Sequence, residues 1–312
     1  MPEPTLRPIG ADDLAACTAV FYAAMEELQD RRYEGRWPRN EGVLERLFGR
    51  LAASHPAGAW LAESDGRTVA FGIAVERERL WFLAFLFVEP AFQAAGLGRR
   101  LLERTFPSGG PDAWRAQGGV LATCVEAIQP VSTGLYARYG LVPRVPVHLV
   151  TGTPRPGALA PLPDALAAAA FEMLEAAGEG IVLADALDEL DLGAVGHRRP
   201  VDHRDDRDEG RRGWLYRHRR SGAVIGYGYA QPSGRLGPVV VRDGSMLEGV
   251  VAHLMTTVQP AGSWQLVVPG PSAALPALLR AGLRLDGSPA ILSATEPMLA
   301  AERYLMRSFA LP

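Results

Sequence analysis

The stretch "FVEPAFQAAGLGRR", Phe87–Arg100, joins a run of large apolar residues to a segment with helical spacing. The run, "WFLAFLFV" (81–88), is apolar on both faces, as in a buried central strand. Leu97, Leu101 and Leu102 recur at the spacing of one helix face. The stretch is therefore predicted to be a glycine-bearing turn between a strand and a helix, a place where backbone N–H groups can cradle a phosphate.

Composition predicts a soluble chain of two domains. The 312 residues exceed one ordinary domain, and 48% are hydrophobic and 21% charged. The net charge is −3 without a basic cluster, so we expect no nucleic-acid partner. The start, "MPEPTLRPIG", lacks the pattern of a signal peptide, and no apolar run is long enough to cross a membrane, so no membrane partner is expected. Cys17 and Cys124 form neither a disulfide framework nor a metal motif, which favours a cytoplasmic, metal-free protein.

Further elements of the first half follow from periodicity and turn residues. A helix is predicted over 12–29, and Asp65-Gly66 predicts a hairpin. The remaining predictions are strands at 60–63, 68–76, 118–127 and 142–150, and a helix over 131–139 that ends at Gly140. The Pro- and Gly-rich residues 151–163 mark a domain boundary. Beyond it we expect a helix over 164–177 and an exposed charged segment, "GHRRPVDHRDDRDEGRR" (196–212).

The second half repeats the order of elements of the first. A shift of 154 residues and a shift of 142 residues each align one block, matching Trp60 with Trp214, Gly72 with Gly226, Arg138 with Arg280 and Gly140 with Gly282. The second copy is therefore about twelve residues shorter between the two blocks. The opening turn falls in this shortened region, where the second copy has only "RDGSMLEGV" (242–250), without a counterpart of Gln93, and further on Leu278 replaces Tyr136.

These residues resemble the GNAT superfamily of acetyl-CoA-dependent N-acyltransferases. The family signature Gln/Arg-x-x-Gly-x-Gly/Ala is matched by Gln93, Gly96 and Gly98. Its second motif, Asn-x-x-Ala-x-x-x-Tyr-x-x-x-Gly-Phe, is matched in part, by Gln129, Ser132, Tyr136, Gly140 and Leu141. The resemblance implies an α/β (α+β) chain of two tandem GNAT-like domains, each a mixed, mostly antiparallel sheet flanked by helices. Residues 1–150 would be the catalytic domain, and residues 151–312 a linker plus a degenerate copy.

The resemblance also implies a site for acetyl-CoA where the sheet splays between the strands at 81–88 and 119–125. Tyr136 would protonate the departing thiolate, and the N–H at about Val88 would polarise the thioester carbonyl. The general base stays open, with Glu126 as first candidate and Glu89 or water-mediated transfer behind it. The implied cofactor-binding residues are Leu86, Phe87, Val88, Gln93, Ala94, Ala95, Gly96, Leu97, Gly98, Arg99, Gln129 and Ser132.

Other nucleotide and metal motifs are disfavoured. A Rossmann turn needs glycine where Leu101 stands, and a P-loop needs a lysine that this chain lacks. His197, His203 and His218 have irregular spacing and predict no metal site. Among other polar residues, Glu26 and Glu27 could bind a cationic amine, although a solvated helix face is the favoured interpretation.

The resulting prediction is an acetyl-CoA-dependent N-acetyltransferase whose primary amine substrate attacks the thioester directly in a ternary complex. The alternative is a non-catalytic acyl-CoA-binding or sensing protein, motivated by Ala94, Gln129 and Ser132 at motif positions and by the lack of an acid in the central strand. The acceptor can be a small-molecule or a peptide amine. The chain can be a monomer, as an internal pseudo-dimer, or a homodimer.

Overall fold

The computed structural model describes residues 3–31, 35–36 and 38–312. The chain divides into two compact units. Unit 1 consists of Met1–Cys124, Val131–Val142 and Ala294–Glu296, and unit 2 consists of Val125–Pro130, Pro143–Ser293 and Pro297–Pro312. Each unit thus contains a segment from the other side of the boundary at 150, because residues 143–150 group with unit 2 and residues 294–296 with unit 1.

Unit 1 is a mixed sheet with helices. Its strands are β1 (Thr5–Pro8), β2 (Ala59–Ser64), β3 (Arg67–Arg77), β4 (Leu80–Val88) and β5 (Val120–Glu126), and its helices are α1 (Leu14–Arg31), α2 (Glu41–Ser54), α3 (Leu97–Thr105), α4 (Gly110–Ala116) and α5 (Pro130–Ala137). The strands pair in chain order, antiparallel from β1 to β4 and parallel between β4 and β5. The last residues of β5, Val125 and Glu126, group with unit 2. Neither α2 nor α4 was predicted from the sequence.

The apolar run and the turn residues explain the core of this sheet. Trp81 and Phe82 in β4 are fully buried, as expected for a strand that is apolar on both faces. Asp65 and Gly66 both have positive φ, 48° and 72°, the combination that a two-residue hairpin turn requires. Gly140 has φ 82° just after α5 and is the predicted left-handed residue that ends the helix.

The parallel pairing of β4 with β5 is short. It runs from Leu80 opposite Val120 to Leu83 opposite Thr123, and β4 then continues to Val88. At the last paired position, the buried Thr123 hydroxyl donates to the Leu83 carbonyl at 2.9 Å. This divergence of β4 and β5, called the first fork below, lies between the two strands for which a splay is expected.

Unit 2 repeats this plan with further strands. Its strands are β6 (Val142–Gly152), β7 (Leu166–Ala170), β8 (Arg212–His218), β9 (Val224–Ala230), β10 (Arg235–Val241), β11 (Trp264–Pro269), β12 (Arg284–Leu285), β13 (Ala290–Ala294) and β14 (Tyr304–Leu305), and its helices are α6 (Phe171–Ala176), α7 (Gly180–Val195), α8 (Pro200–Asp208), α9 (Leu247–Thr257) and α10 (Ala274–Arg280). Val142 and Ala294 group with unit 1. The strands β7 to β10 form an antiparallel series, β10 pairs parallel with β11, and β11 pairs antiparallel with β6.

Two predictions for unit 2 are wrong. Residues 164–177 are not one helix, because 166–170 form β7 against β8, and only 171–176 are helical. Strand pairing thus overrides the helix propensity of the alanine run. The charged segment 196–212 is exposed only in part: it forms α8 and the residues around it, and Arg199, His203 and Asp206 are at most 4% exposed.

The repeat is real, but one alignment is offset. Trp60 pairs with Gly72 in unit 1, whereas Trp214 pairs with Gly228 rather than Gly226 in unit 2. The connection between β8 and β9, "RRSGA" (219–223), is longer than the Asp65-Gly66 turn, which accounts for the difference. Among the described residues, no helix is both long and apolar enough to span a membrane.

Candidate active site

A bulge in β4 turns backbone groups towards the first fork. The register with β3 changes between Ile73 and Ala74, so that Ala84 has no partner in the ladder. Beyond it, the Glu89 N–H donates to the Val69 carbonyl at 2.8 Å. Because successive residues of a strand point their N–H groups to opposite edges, the N–H groups of Leu86 and Val88 face away from β3, on the side of the fork. The bulge thus supplies the orientation that the prediction for Val88 requires.

The glycine-bearing turn follows directly. Residues 93–96 are exposed, and Gly96, with φ 79°, is the residue before the first turn of α3. Ala94 has φ 64°, a left-handed conformation that L-residues adopt at a cost of roughly 1 kcal/mol. The Gln93 side-chain amide donates to the Val88 carbonyl at 3.0 Å. Gln93 therefore ties the turn to the end of β4, a positioning contact that the motif alone does not reveal.

The turn has the space and the donors that a diphosphate requires. A Cβ built at Gly96 meets no described atom within 4 Å, and one built at Gly98 lies at an ordinary 3.5 Å from Val88 Cγ2. The N-terminal N–H groups of α3 carry the positive end of its dipole. Nearby, Arg99 pairs with Glu103 at 3.3 Å on the surface, and Arg100 with Glu3 at 2.9 Å. The residues fit a bound diphosphate, held by backbone N–H groups more than by side chains.

Tyr136 lies in the last turn of α5 and is 6% exposed. No hydrogen bond joins its hydroxyl to any residue that the structure describes. Burial raises the pKa of Tyr136 above its ordinary value, because the phenolate would lose solvation. The hydroxyl is therefore held protonated, which is the state that a proton donor needs.

The candidate acids have different partners. Both oxygens of Glu89 accept hydrogen bonds from Arg67, at 3.1 and 3.0 Å, which occupies this carboxylate. Glu26 accepts from Arg39 at 2.8 Å, and Glu27 pairs with Arg31 one turn along α1. Both of these glutamates are therefore paired with arginine.

The other predicted site residues lie in two places. Ser132, half-buried in α5, belongs to unit 1, whereas Glu126 and Gln129 belong to the short segment of unit 2 between 125 and 130. The Gln129 N–H donates to the Glu126 carbonyl at 3.0 Å, forming a tight turn before α5. The roles of Glu126 and Gln129 stay predictions.

An aromatic surface formed by α1, β3 and β4 was not predicted from the sequence. Phe21 of α1 and Phe87 of β4 meet edge to face with ring centroids 4.8 Å apart, and both are half-buried. Phe71 stacks on Phe87, and Phe85 packs behind it. The helical spacing of Phe21 and the alternation in β4 were visible in the sequence, but their meeting depends on how α1 lies on the sheet.

A family comparison matches this part of the chain. The model of the acetyltransferase (GNAT) family matches residues 22–141. Residues 22–141 are a GNAT domain. The matched range contains the first fork, the glycine-bearing turn and Tyr136. The family match therefore lies in the half of the chain that contains the signature residues Gln93, Gly96 and Gly98. No protein of curated function matches the chain.

Solved structures extend the likeness to the whole chain. A putative acetyltransferase from Pyrococcus horikoshii is 14% identical, with a TM-score of 0.74 over 100% of this chain and 97% of that one. A GCN5-related N-acetyltransferase from Sphaerobacter thermophilus is 16% identical, with a TM-score of 0.59 over 96% and 98%. A tandem GNAT protein from the clavulanic acid biosynthesis pathway is 16% identical, with a TM-score of 0.54 over 95% and 99%. At these identities the likeness concerns the fold, which is the predicted fold of two GNAT-like domains.

Within the described ranges, no group of three or more His, Cys, Asp or Glu side chains could hold a metal ion.

Proposed function

We propose that this protein is an acetyl-CoA-dependent N-acetyltransferase that acts on a primary amine by direct attack in a ternary complex, in the cytoplasm. The observation that carries the proposal is the fork of β4 and β5 beside a glycine-bearing turn, with gap-facing N–H groups on Leu86 and Val88. Bound acetyl-CoA would supply an activated acetyl thioester at the fork, with its diphosphate on the turn Gln93–Gly98.

Two groups of the chain would assist the transfer. The Val88 N–H would donate to the thioester carbonyl oxygen as negative charge develops there, a contribution typically of about 3 to 4 kcal/mol. Tyr136 would give its proton to the departing sulfur as the C–S bond breaks and the new C–N bond forms. Such general acid catalysis contributes roughly 10²- to 10⁴-fold. The attacking nitrogen must lose its own proton to a base.

Glu126 is our proposed base, directly or through water. Glu89 is the weaker candidate because Arg67 holds both of its oxygens. We expect Glu126→Gln to lower kcat at neutral pH and Glu89→Gln to leave it within about twofold. The opposite ranking in an amine assay would transfer the role to Glu89.

Two measurements test the function. Calorimetry with acetyl-CoA is expected to show micromolar binding that Gly98→Glu abolishes, because the new carboxylate would stand in the first turn of α3. Gly262→Glu is the matched control, since it adds the same charge at an open position of unit 2. Normal binding by the Gly98 variant would contradict the cradle.

The second measurement follows release of free CoA over a panel of amines. Tyr136→Phe is expected to lower kcat by about 10²-fold or more. Tyr139→Phe is its control, because the Tyr139 hydroxyl donates to the exposed Glu103 at 2.8 Å. Binding of acetyl-CoA without turnover on any amine would favour the alternative, a non-catalytic acyl-CoA-binding or sensing protein.

A further inference from the structure

The second copy has a fork of its own, formed by β10 and β11. These strands pair in parallel only at Arg235–Leu236 opposite Gln265–Leu266. The Arg242 N–H donates to the Ile225 carbonyl at 2.8 Å, just as the Glu89 N–H donates to Val69 in unit 1. Val241 is therefore the counterpart of Val88, and Val239 that of Leu86. We call the divergence of β10 and β11 the second fork.

The chain's own strand β14 lies in the second fork. On one side Val239 pairs with Leu305 and Val240 with Tyr304. On the other side the Met306 N–H donates to the Val267 carbonyl of β11 at 3.0 Å. Residues 304–306 are completely buried. In this way β14 hydrogen-bonds to the strands on both sides of the second fork, as a peptide does when it is added to a sheet edge. It occupies the edge of β10 that corresponds to the gap-facing edge of β4 in unit 1.

The turn after β10 is also occupied. The Asp243 carboxylate accepts from the Ser245 N–H at 2.9 Å, so a side-chain anion already occupies one backbone donor of this turn. A Cβ built at Gly244 would stand 2.7 Å from the Glu302 carbonyl oxygen, which shows that the chain at 302 covers the turn. The approach that Gly96 and Gly98 leave open in unit 1 is closed here by backbone.

A buried ionic cluster holds Tyr304 in place. The Arg199 guanidinium donates to the Tyr304 hydroxyl at 2.7 Å and to Asp191 of α7 at 2.7 Å. His203 of α8 contacts the other Asp191 oxygen at 2.8 Å. Arg199 and Asp191 are at most 1% exposed. Breaking a buried pair of this kind is strongly destabilising, because removing one partner leaves an uncompensated buried charge.

A second cluster holds the residue that follows β14. The Arg307 Nε donates to Asp206 of α8 at 2.5 Å, and its other end pairs with Glu209 at 3.1 Å. Arg211 shares Asp206 at 3.1 Å. The partners in both clusters lie within residues 191–211, in α7, in α8 and beside α8. Side chains from this region therefore hold β14 in the second fork.

We propose that residues 302–306 are a built-in occupant of the second fork, so that unit 2 takes up no acyl-CoA and the chain has a single acyl-CoA site. The count of one rests on the proposed function, whereas the occupation of the fork does not.

Hydrogen–deuterium exchange of the full chain tests the occupant directly. The amides of residues 304–306 are expected to exchange at least about 10³-fold more slowly than in an unstructured peptide, as core strands do. Saturating acetyl-CoA should leave this protection unchanged. Exchange at the unstructured rate, or faster exchange on adding acetyl-CoA, would overturn the proposal.

Arg307→Gln tests the ionic cluster. It is expected to speed the exchange of residues 304–306 at least about tenfold, while the exposed Arg284→Gln serves as control and leaves it unchanged. Equal rates in the two variants would refute the holding role of Arg307.

Native mass spectrometry with acetyl-CoA tests the count. The wild type is expected to bind one equivalent and Gly98→Glu none. A second equivalent in the wild type, or one remaining in the variant, refutes the closed second fork. A wild type that binds none refutes the proposed function, and the exchange of residues 304–306 then still decides whether the fork is occupied.

Discussion

At the scale of single residues, the candidate site depends on a few backbone contacts around the end of β4. Ala84 forms the bulge, Thr123 closes the last rung of the ladder, and Gln93 holds the turn against Val88. These contacts decide which N–H groups face the first fork. Each can be tested by one substitution.

Ala94→Gly is expected to stabilise the protein. Ala94 has φ 64°, and glycine adopts this conformation without the steric cost of a Cβ. The gain should be at most about 1 kcal/mol, because glycine also has more conformational freedom to lose on folding. Denaturant unfolding measures it, with Ala95→Gly as the neighbouring control. A loss of stability for Ala94→Gly as large as for the control would contradict the strain at Ala94.

Thr123→Val is expected to widen or shift the first fork. The Leu83 carbonyl would lose a buried hydrogen bond, at a cost of about 1 kcal/mol of stability. The same loss should raise the KM for acetyl-CoA more than it lowers kcat, because the strand positions the binding site. Thr123→Ser keeps the hydroxyl and should restore both values. A Val variant with unchanged KM would show that the bond does not position the fork.

At the scale of elements, α8 differs most from its prediction. Its sequence, "PVDHRDDRD", is almost entirely polar, and polar helices are normally solvated. Here Asp202, His203 and Asp206 are buried because partners from other elements are placed beside them. No local pattern predicts those partners, since Arg307 lies about a hundred residues further along the chain.

The buried His197, just before α8, is expected to make unit 2 sensitive to acid. Burial, and then the charge of Arg199, lowers the pKa of His197 to about 4, against an ordinary 6.5, despite opposing contributions from its bond to Val195 and from Asp202 and Asp191. As pH falls from 6.5 to 4, the unfolded chain binds a proton that the folded chain excludes. Stability present above pH 6.5 is therefore lost across this window, by up to about 3 kcal/mol.

Denaturant unfolding at pH 7 and pH 4.5 measures this loss. His197→Asn should be less stable at pH 7 but should lose less stability on acidification than the wild type. His148→Asn, on β6, is the control. An acid-induced loss in His197→Asn equal to that of the wild type would assign the effect to other groups.

At the scale of the whole molecule, the two compact units do not follow the order of the chain. Leu121 of β5 accepts a hydrogen bond from the Thr295 N–H at 2.9 Å, and its own N–H donates to the Thr295 hydroxyl at 3.1 Å. In unit 2, β6 pairs with β11 over six residue pairs from Trp264–Gly152 to Pro269–Val147. Each unit therefore needs a strand segment from the other half of the sequence.

Residues 1–150 expressed alone are expected to be unstable or to aggregate. They would lack the segment that pairs with Leu121 and would expose the unpaired edge of β6, and such edges associate with other chains. Size-exclusion chromatography and thermal unfolding, compared with the full chain, measure this. A monomeric fragment with the melting temperature of the full chain would contradict the need for residues 294–296.

The sequence by itself determined the elements that have a local cause. The apolar run of β4, the Asp65-Gly66 turn, the glycine that ends α5 and the repeat of the two copies were all readable, because periodicity, φ-permissive residues and similarity act over short stretches. The same holds for the glycine-bearing turn and Tyr136, whose chemical roles are proposals.

Only the tertiary structure decided which segments complete each unit, which way the N–H groups beyond Ala84 point, and what fills the second fork. These depend on contacts between residues far apart in the chain, such as Val239 with Leu305 and Asp206 with Arg307. A strand bonds whichever edge the fold brings to it, and a buried charge accepts whichever partner lies within reach. The residues for such contacts are present in the sequence, but their distances are not.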